Sequence, residues 1–193
     1  MELIFATNNP NKVREIRKVI GDKLQILSLK EAGIIIEIPE PHHTLEDNAL
    51  EKAQTILHLT GKNCFSEDSG LEVEALHGAP GVKSARFAGE HATNEQNIAL
   101  LLDKMEGQIN RRARFRTVIA LMWEHETFYF EGTCPGTITY RPSGTDGFGY
   151  DPVFIPEGSE RSFGQMSLEE KNLFSHRKKA TTKLIEFLKT KIG

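Results

Sequence analysis

The stretch Leu3-Ile4-Phe5-Ala6-Thr7-Asn8-Asn9-Pro10-Asn11-Lys12-Val13 decides the architecture of this chain. Leu3 to Ala6 is a short apolar run of the kind that forms a buried strand. The polar loop Thr7-Asn8-Asn9-Pro10-Asn11 follows. Val13, Ile16, Arg17 and Ile20 then carry helical spacing, and Gly21 is placed to stop the helix. A strand, a polar loop and a helix in that order start an α/β pattern.

Reading outward, Leu24 to Leu29 is a second strand, and Ile34 to His43 is Pro-punctuated and extended. Thr44 caps a helix whose stripe is Leu45, Ala49, Ala53, Ile56 and Leu57. Asn63 to Ser66 forms a short strand entering Glu67-Asp68-Ser69-Gly70, and Gly78-Ala79-Pro80-Gly81 is a turn. Thr93 with Gln96 makes a capping box ahead of Ile98, Leu101, Leu102 and Met105. Phe115 to Trp123 and Thr127 to Glu131 form a hairpin around Glu124-His125-Glu126, and Gly136 to Tyr140 is a third β stretch. Ser167 and Glu170 repeat the capping box, and a last helix starts near Ser175 with Ala180, Leu184, Phe187 and Leu188. Helices and strands interleave first, and a β-rich part followed by helix comes second. The pattern fits α/β or α+β with a mixed sheet.

A chain of 193 residues buries a real core as one domain or two small lobes. Its 38% hydrophobic and 26% charged content are those of a soluble globular protein. A formal net charge of -3 argues against a protein that coats nucleic acid. Cys64 and Cys134 stand alone, without CxxC spacing, and fit unpaired thiols in a reducing compartment. The N-terminal residues carry no signal peptide pattern, and no segment reaches the roughly 20 apolar residues of a membrane span. The expected location is the cytoplasm.

Four segments carry chemistry. In the first, Lys12 adds a full charge at a helix start whose outward amides are partly positive, with Thr7, Asn8, Asn9 and Asn11 as polar neighbours. No Walker A pattern is present. In the second, Glu67-Asp68-Ser69-Gly70, adjacent carboxylates suit Mg²⁺, which takes one or two carboxylates and lets phosphates complete its shell. Neighbouring side chains of an extended segment point apart, so Glu67 and Asp68 need not share a ligand site; Glu40, before Pro41, is a third acid that can converge there. In the third, Ser175-His176-Arg177-Lys178-Lys179 puts cations in a first helical turn, with Lys171 upstream. Their charges oppose the macrodipole, a sign that an anionic ligand reverses. In the fourth, Gly147-Phe148-Gly149-Tyr150-Asp151-Pro152 alternates aromatic faces with glycines, which suits a flat ligand and equally suits a packed turn. Arg111 to Arg116 reads as a solvated strand entry, and the seven histidines show no zinc spacing.

Set in order, these segments resemble the inosine triphosphate pyrophosphatase family, the XTP/dITP diphosphatases. The resemblance runs from Thr7–Lys12 through Thr44–Lys52, Ser66–Leu71, Gly78–Gly81, Ser84-Ala85-Arg86, Gly147–Pro152 and Glu170-Lys171 to Ser175-His176-Arg177. It implies one domain over residues 1–193, an elongated mixed sheet with flanking helices, and two lobes with an active-site cleft between them. It also implies Mg²⁺-dependent hydrolysis of ITP, dITP and XTP to the monophosphate and pyrophosphate, and a homodimer. By this resemblance Asp68 is general base and metal ligand, with Glu40 a further metal-site acid. Thr7, Asn8, Asn9, Pro10, Asn11, Lys12, Ser69, Phe148, Gly149, Tyr150, Asp151, Lys171, His176 and Arg177 are implied nucleotide contacts. Many relatives have two aspartates where this chain has Glu67-Asp68, which leaves a direct role of Glu67 in metal binding open. The alternatives are a nucleotide- or RNA-binding module without catalysis, and a pyrophosphatase for modified pyrimidine triphosphates.

Overall fold

A computed structural model describes residues 2–21 and 24–192. In chain order the elements are β1 (Glu2–Phe5), α1 (Pro10–Ile20), β2 (Gln25–Ser28), α2 (Leu45–Thr60), β3 (Cys64–Val73), α3 (Asn94–Lys104), β4 (Arg112–Trp123), β5 (Glu126–Ile138), β6 (Phe154–Pro156), α4 (Leu168–Lys171) and α5 (His176–Ile192). The strands form one sheet in the order β2-β1-β3-β4-β5-β6. β1 runs parallel to β2, with Ile4 opposite Leu27, and parallel to β3, with Phe5 opposite Phe65. β6 runs antiparallel to β5, with Ile155 opposite Thr137. The sheet is therefore mixed, and the α/β expectation holds.

The chain divides into two compact units. The first comprises residues 1–68, 117–132 and 177–193; the second comprises 69–116 and 133–176. In the first unit the period-two alternation of the strands puts apolar side chains on both faces of the sheet. Leu3 and Phe5 of β1, with Ile119, Leu121 and Trp123 of β4, pack on Val13, Ile16 and Ile20 of α1 and on Ala180, Leu184 and Leu188 of α5. Ile4 and Ala6, with Ala120 and Met122, pack instead with Ala49, Ala53 and Ile56 of α2. In the second unit Leu71, Val73, Ala113, Phe115, Cys134 and Ile138 gather with Ile98 and Leu101 of α3, with Met105 just after it, and with Phe154 and Phe163. Arg112 and Arg114 alternate with Ala113 and Phe115 and stand exposed, as a solvated strand entry requires. Both cysteines are buried, and neither is in a disulfide.

Two strand boundaries differ from the sequence reading. β3 does not end at Ser66 but continues through Glu67–Gly70 to Val73. Adjacent acids look like a strand end because buried carboxylates are rare unless paired, and here both are buried and paired. Gly136 to Ile138 is not a separate strand but the end of β5, which runs on through Pro135, and Thr139 and Tyr140 lie beyond that strand. Pro135 is exposed and lies just outside the pairing with β6, whose first matched pair on β5 is Gly136 opposite Pro156.

Candidate active site

In the first unit, the loop after β1 is organised by its own side chains. Asn9 caps α1, its Oδ1 accepting from the amides of Asn11 (3.0 Å) and Lys12 (3.3 Å), with Pro10 at the first helical position. Thr7 Oγ1 accepts from the Asn9 amide, and Asn8 Oδ1 accepts from the Lys30 amide. Two of the outward amides are thus used by the cap. The charge that remains is Lys12, whose Nζ lies 3.3 Å from Glu67 Oε1. No acidic residue stands in that first turn.

Glu67 and Asp68 face opposite ways, as neighbours on a strand must. Glu67 accepts from Arg177 Nε at 2.9 and 2.8 Å, and Arg177 Nη1 also pairs with Glu15 of α1. All three are buried. Burial opposes ionisation of Glu67, but Arg177 and Lys12 outweigh it and hold the carboxyl below its ordinary range. Burial likewise opposes the Arg177 charge, and Glu67 and Glu15 outweigh it.

Asp68 meets α2. That helix is capped by Thr44, which accepts from the Asp47 amide at 3.1 Å, and its buried face carries Leu45, Asn48, Ala49, Lys52, Ala53 and Ile56. Asn48 and Lys52 are one turn apart and reach the two oxygens of Asp68 separately. Lys52 Nζ lies 3.3 Å from Oδ1, and Asn48 Nδ2 lies 3.4 Å from Oδ2. Lys52 also donates to Glu40 Oε1 at 2.5 Å and to the Glu67 carbonyl at 2.9 Å. Asn48 Oδ1 accepts from the His42 amide at 2.9 Å, which ties the extended stretch carrying Glu40 to the same helix. Burial pushes Asp68 above the ordinary aspartate value, with Glu40 adding to it, against the pull of Lys52 and Lys12. Burial works against the Lys52 charge, but Asp68 and Glu40 outweigh it and keep the amine protonated.

Asn48 and Lys52 were missed in the sequence as site residues. The signal was present: both fall on the stripe of Leu45, Ala49, Ala53 and Ile56, where a polar side chain is buried and needs a partner.

Mg²⁺ fits the chemistry of this group. Glu40 and Asp68 converge on one ammonium and offer hard oxygen donors. Among the described residues no group of three or more His, Cys, Asp or Glu could hold a metal, and Mg²⁺ is commonly held by only one or two carboxylates with waters and phosphate oxygens beside them. The Glu67 carboxylate is turned to Arg177 and Lys12 instead.

In the second unit, the aromatic-glycine run forms a turn built on Asp151. This buried carboxylate accepts from the Phe148 amide at 2.9 Å and pairs with the buried Lys171 Nζ at 2.7 Å. Gly147 has φ 77° and faces the Asp151 carboxylate so closely that a Cβ there would collide with it. Lys171 Nζ lies 5.1 Å from the centroid of the Phe148 ring, which is half-buried. Tyr150 is buried, and its hydroxyl donates to the Ser84 carbonyl at 2.7 Å, so its ring holds the turn in the core. Burial raises its phenol well above the ordinary range. His176 is buried and stacks on Phe115 with centroids 4.8 Å apart and planes 8° apart. Ser69 follows Asp68 on β3 and is half-buried.

The Ham1 family model matches residues 3–187. The chain belongs to the Ham1 family. It is 46% identical over 189 residues to the dITP/XTP pyrophosphatase of Flavobacterium psychrophilum, covering 98% of this chain and all 100% of that one. It is 50% identical over 188 residues to the dITP/XTP pyrophosphatase of Porphyromonas gingivalis, covering 97% of each. The Ham1 protein of Staphylococcus aureus superposes with a TM-score of 0.90 at 35% identity, over 99% of this chain and 100% of that one. The Ham1 family is the one whose segments the sequence resembled. No described helix is long and apolar enough to cross a membrane.

Proposed function

We infer that this Ham1-family chain hydrolyses dITP, XTP and ITP to the nucleoside monophosphate and pyrophosphate. The single observation that carries the reading is Asp68, a buried carboxylate on β3 whose two oxygens are separately held by Asn48 and Lys52, with Glu40 converging on the same ammonium. The relatives named dITP/XTP pyrophosphatase supply the substrate class.

Asp68 serves as general base. It takes a proton from the water that attacks the α-phosphorus, the bond from that phosphorus to the bridging oxygen breaks, and pyrophosphate leaves. Its raised pKa is the direction that makes a carboxylate a stronger base. Glu40 and Asp68 would hold Mg²⁺, which when bound supplies Lewis-acid neutralisation of phosphate charge. Lys12, in the Thr7–Lys12 loop, stabilises charge on the phosphates. Ser69, Phe148–Asp151, Lys171 and His176 serve the nucleotide, with Asp151 and Tyr150 positioning the turn that carries Phe148 and Gly149. Arg177 acts by fixing Glu67, and through it Lys12. The working form proposed is one 193-residue pyrophosphatase domain, cytoplasmic and homodimeric.

A non-catalytic nucleotide- or RNA-binding module gives no account of the paired Asp68 and Glu40. A panel of purine and modified pyrimidine triphosphates, read by product chromatography, tests the reading. dITP and XTP should yield monophosphate and pyrophosphate, with ATP turned over little. Release of orthophosphate, or preference for a pyrimidine, would overturn it.

A further inference from the structure

The Lys52 ammonium stands where a cation of the acid pair belongs. An ammonium has three N–H donors, and Lys52 directs them to three oxygens: Glu40 Oε1 at 2.5 Å, the Glu67 carbonyl at 2.9 Å and Asp68 Oδ1 at 3.3 Å. Two of those oxygens belong to the carboxylates assigned to the metal. Lys52 itself is 6% exposed, and α2 presents it from a packed face, so it is not a surface lysine that folded inward.

A divalent ion placed between Glu40 and Asp68 meets a like charge at close range, in surroundings where water screens little. Either the ammonium withdraws or the ion binds weakly. A triphosphate changes this balance, because its oxygens bring several negative charges and give both the metal and the displaced ammonium new partners.

We propose that Lys52 is a resident counter-cation of the Glu40–Asp68 pair, which weakens binding of bare divalent metal and ties metal uptake to arrival of the polyanionic substrate. This rests on the assignment of that pair to the metal. Lys52 is on this view a positioning residue that competes with the ion. A lysine that merely supported the fold would, on removal, leave metal affinity unchanged or lower it.

The test is Mn²⁺ binding to substrate-free protein, followed by the paramagnetic signal of the free ion, in wild type, Lys52→Met, Lys52→Arg and the double variant Glu40→Gln/Lys52→Met. Lys52→Met should bind Mn²⁺ more tightly by about tenfold or more, a factor corresponding to about 1.4 kcal/mol. Lys52→Arg should stay weak, and the double variant should lose the gain. Equal or weaker binding in Lys52→Met overturns the proposal, as does a gain that survives the loss of Glu40. Circular dichroism with and without Mn²⁺ covers folding. A Lys52→Met protein that folds only with Mn²⁺ shows the ion replacing the ammonium, and one that stays unfolded in excess Mn²⁺ overturns the idea. Turnover of dITP by wild type, run in parallel, separates the two readings. Its absence sinks the pyrophosphatase assignment, whereas unchanged Mn²⁺ affinity in Lys52→Met with normal wild-type turnover sinks only this inference.

Discussion

Arg177 Nε donates to both carboxylate oxygens of Glu67, at 2.9 and 2.8 Å, while its Nη1 pairs with Glu15. The cation that stands unfavourably in the first turn of α5 is therefore compensated by carboxylates from β3 and α1. Removing one partner of a buried pair leaves an uncompensated charge. Arg177→Met should destabilise the fold by about 3–5 kcal/mol, measured by urea unfolding. Arg177→Lys should recover only part of this, because an ammonium lacks the planar fork. Equal stability of Arg177→Met and wild type would show that the network contributes nothing.

The alternation and caps of the first unit were legible in the sequence. Leu3 to Ala6, the Gly21 stop and the Thr44 cap all stand where their residue types require. The Thr93–Gln96 box was equally readable, because it is a local signal. What could not be read was long-range. Glu67 sits 110 positions from Arg177, and only the fold shows that the acid pair is buried and therefore lies inside a strand. Tyr150 is a second case. A ring that follows a glycine suits a ligand face as well as a core, and the hydroxyl bond to Ser84 is a tertiary fact. Lys52 and Asn48 differ, because their place on the apolar stripe of α2 was readable, although charged and amide residues on a helix are ordinarily solvated.

Asp68→Asn is the direct check on the base. The amide keeps the size of the side chain and a group for Lys52 Nζ to donate to, but it cannot take the proton. Turnover of dITP should fall by about 10²–10⁴-fold. Nucleotide binding, followed by calorimetry, should persist. Near-normal turnover would remove Asp68 from that role.

Glu31 supplies a pH prediction away from the site. Arg17 Nη2 donates to its Oε2 at 2.6 Å, and the Ser28 amide and hydroxyl donate to the same oxygen at 2.8 and 2.7 Å. These bonds, Arg17 first, hold the carboxyl down to about 2 from 4.5. A folded value below the unfolded one means stability fully present above the unfolded value and lost as pH falls through the folded one. The loss should therefore run from about pH 4.5 down to about pH 2. Both side chains are over 40% exposed, at 43% and 45%, so screening reduces the contribution to about 0.2–1 kcal/mol. In Glu31→Gln that share of the acid dependence should vanish, so the difference from wild type narrows as pH falls. A difference that stays constant across that window would contradict the assignment.

Gly70 tests the close packing two residues beyond Asp68. Its φ is not in the left-handed region, so backbone freedom is not the reason for glycine here. Space is. A Cβ at Gly70 would fall 2.8 Å from the carbonyl carbon of Gly81 and nearer still to its oxygen, and both are backbone atoms. Neither side yields easily. The Leu71 amide donates to Ser84 Oγ at 2.9 Å, that hydroxyl donates to the Gly81 carbonyl at 2.6 Å, and Glu72 bridges to Pro80. Gly70→Ala forces these apart and should cost about 1–3 kcal/mol, the range of overpacked sites. Urea unfolding of Gly70→Ala against an exposed control such as Gly33→Ala distinguishes space from conformation. Gly33 has open surroundings but φ 73°, so its alanine variant reports backbone strain alone. A Gly70→Ala protein as stable as wild type would mean that the turn at Gly81 moves freely, and that β3 is not clamped there.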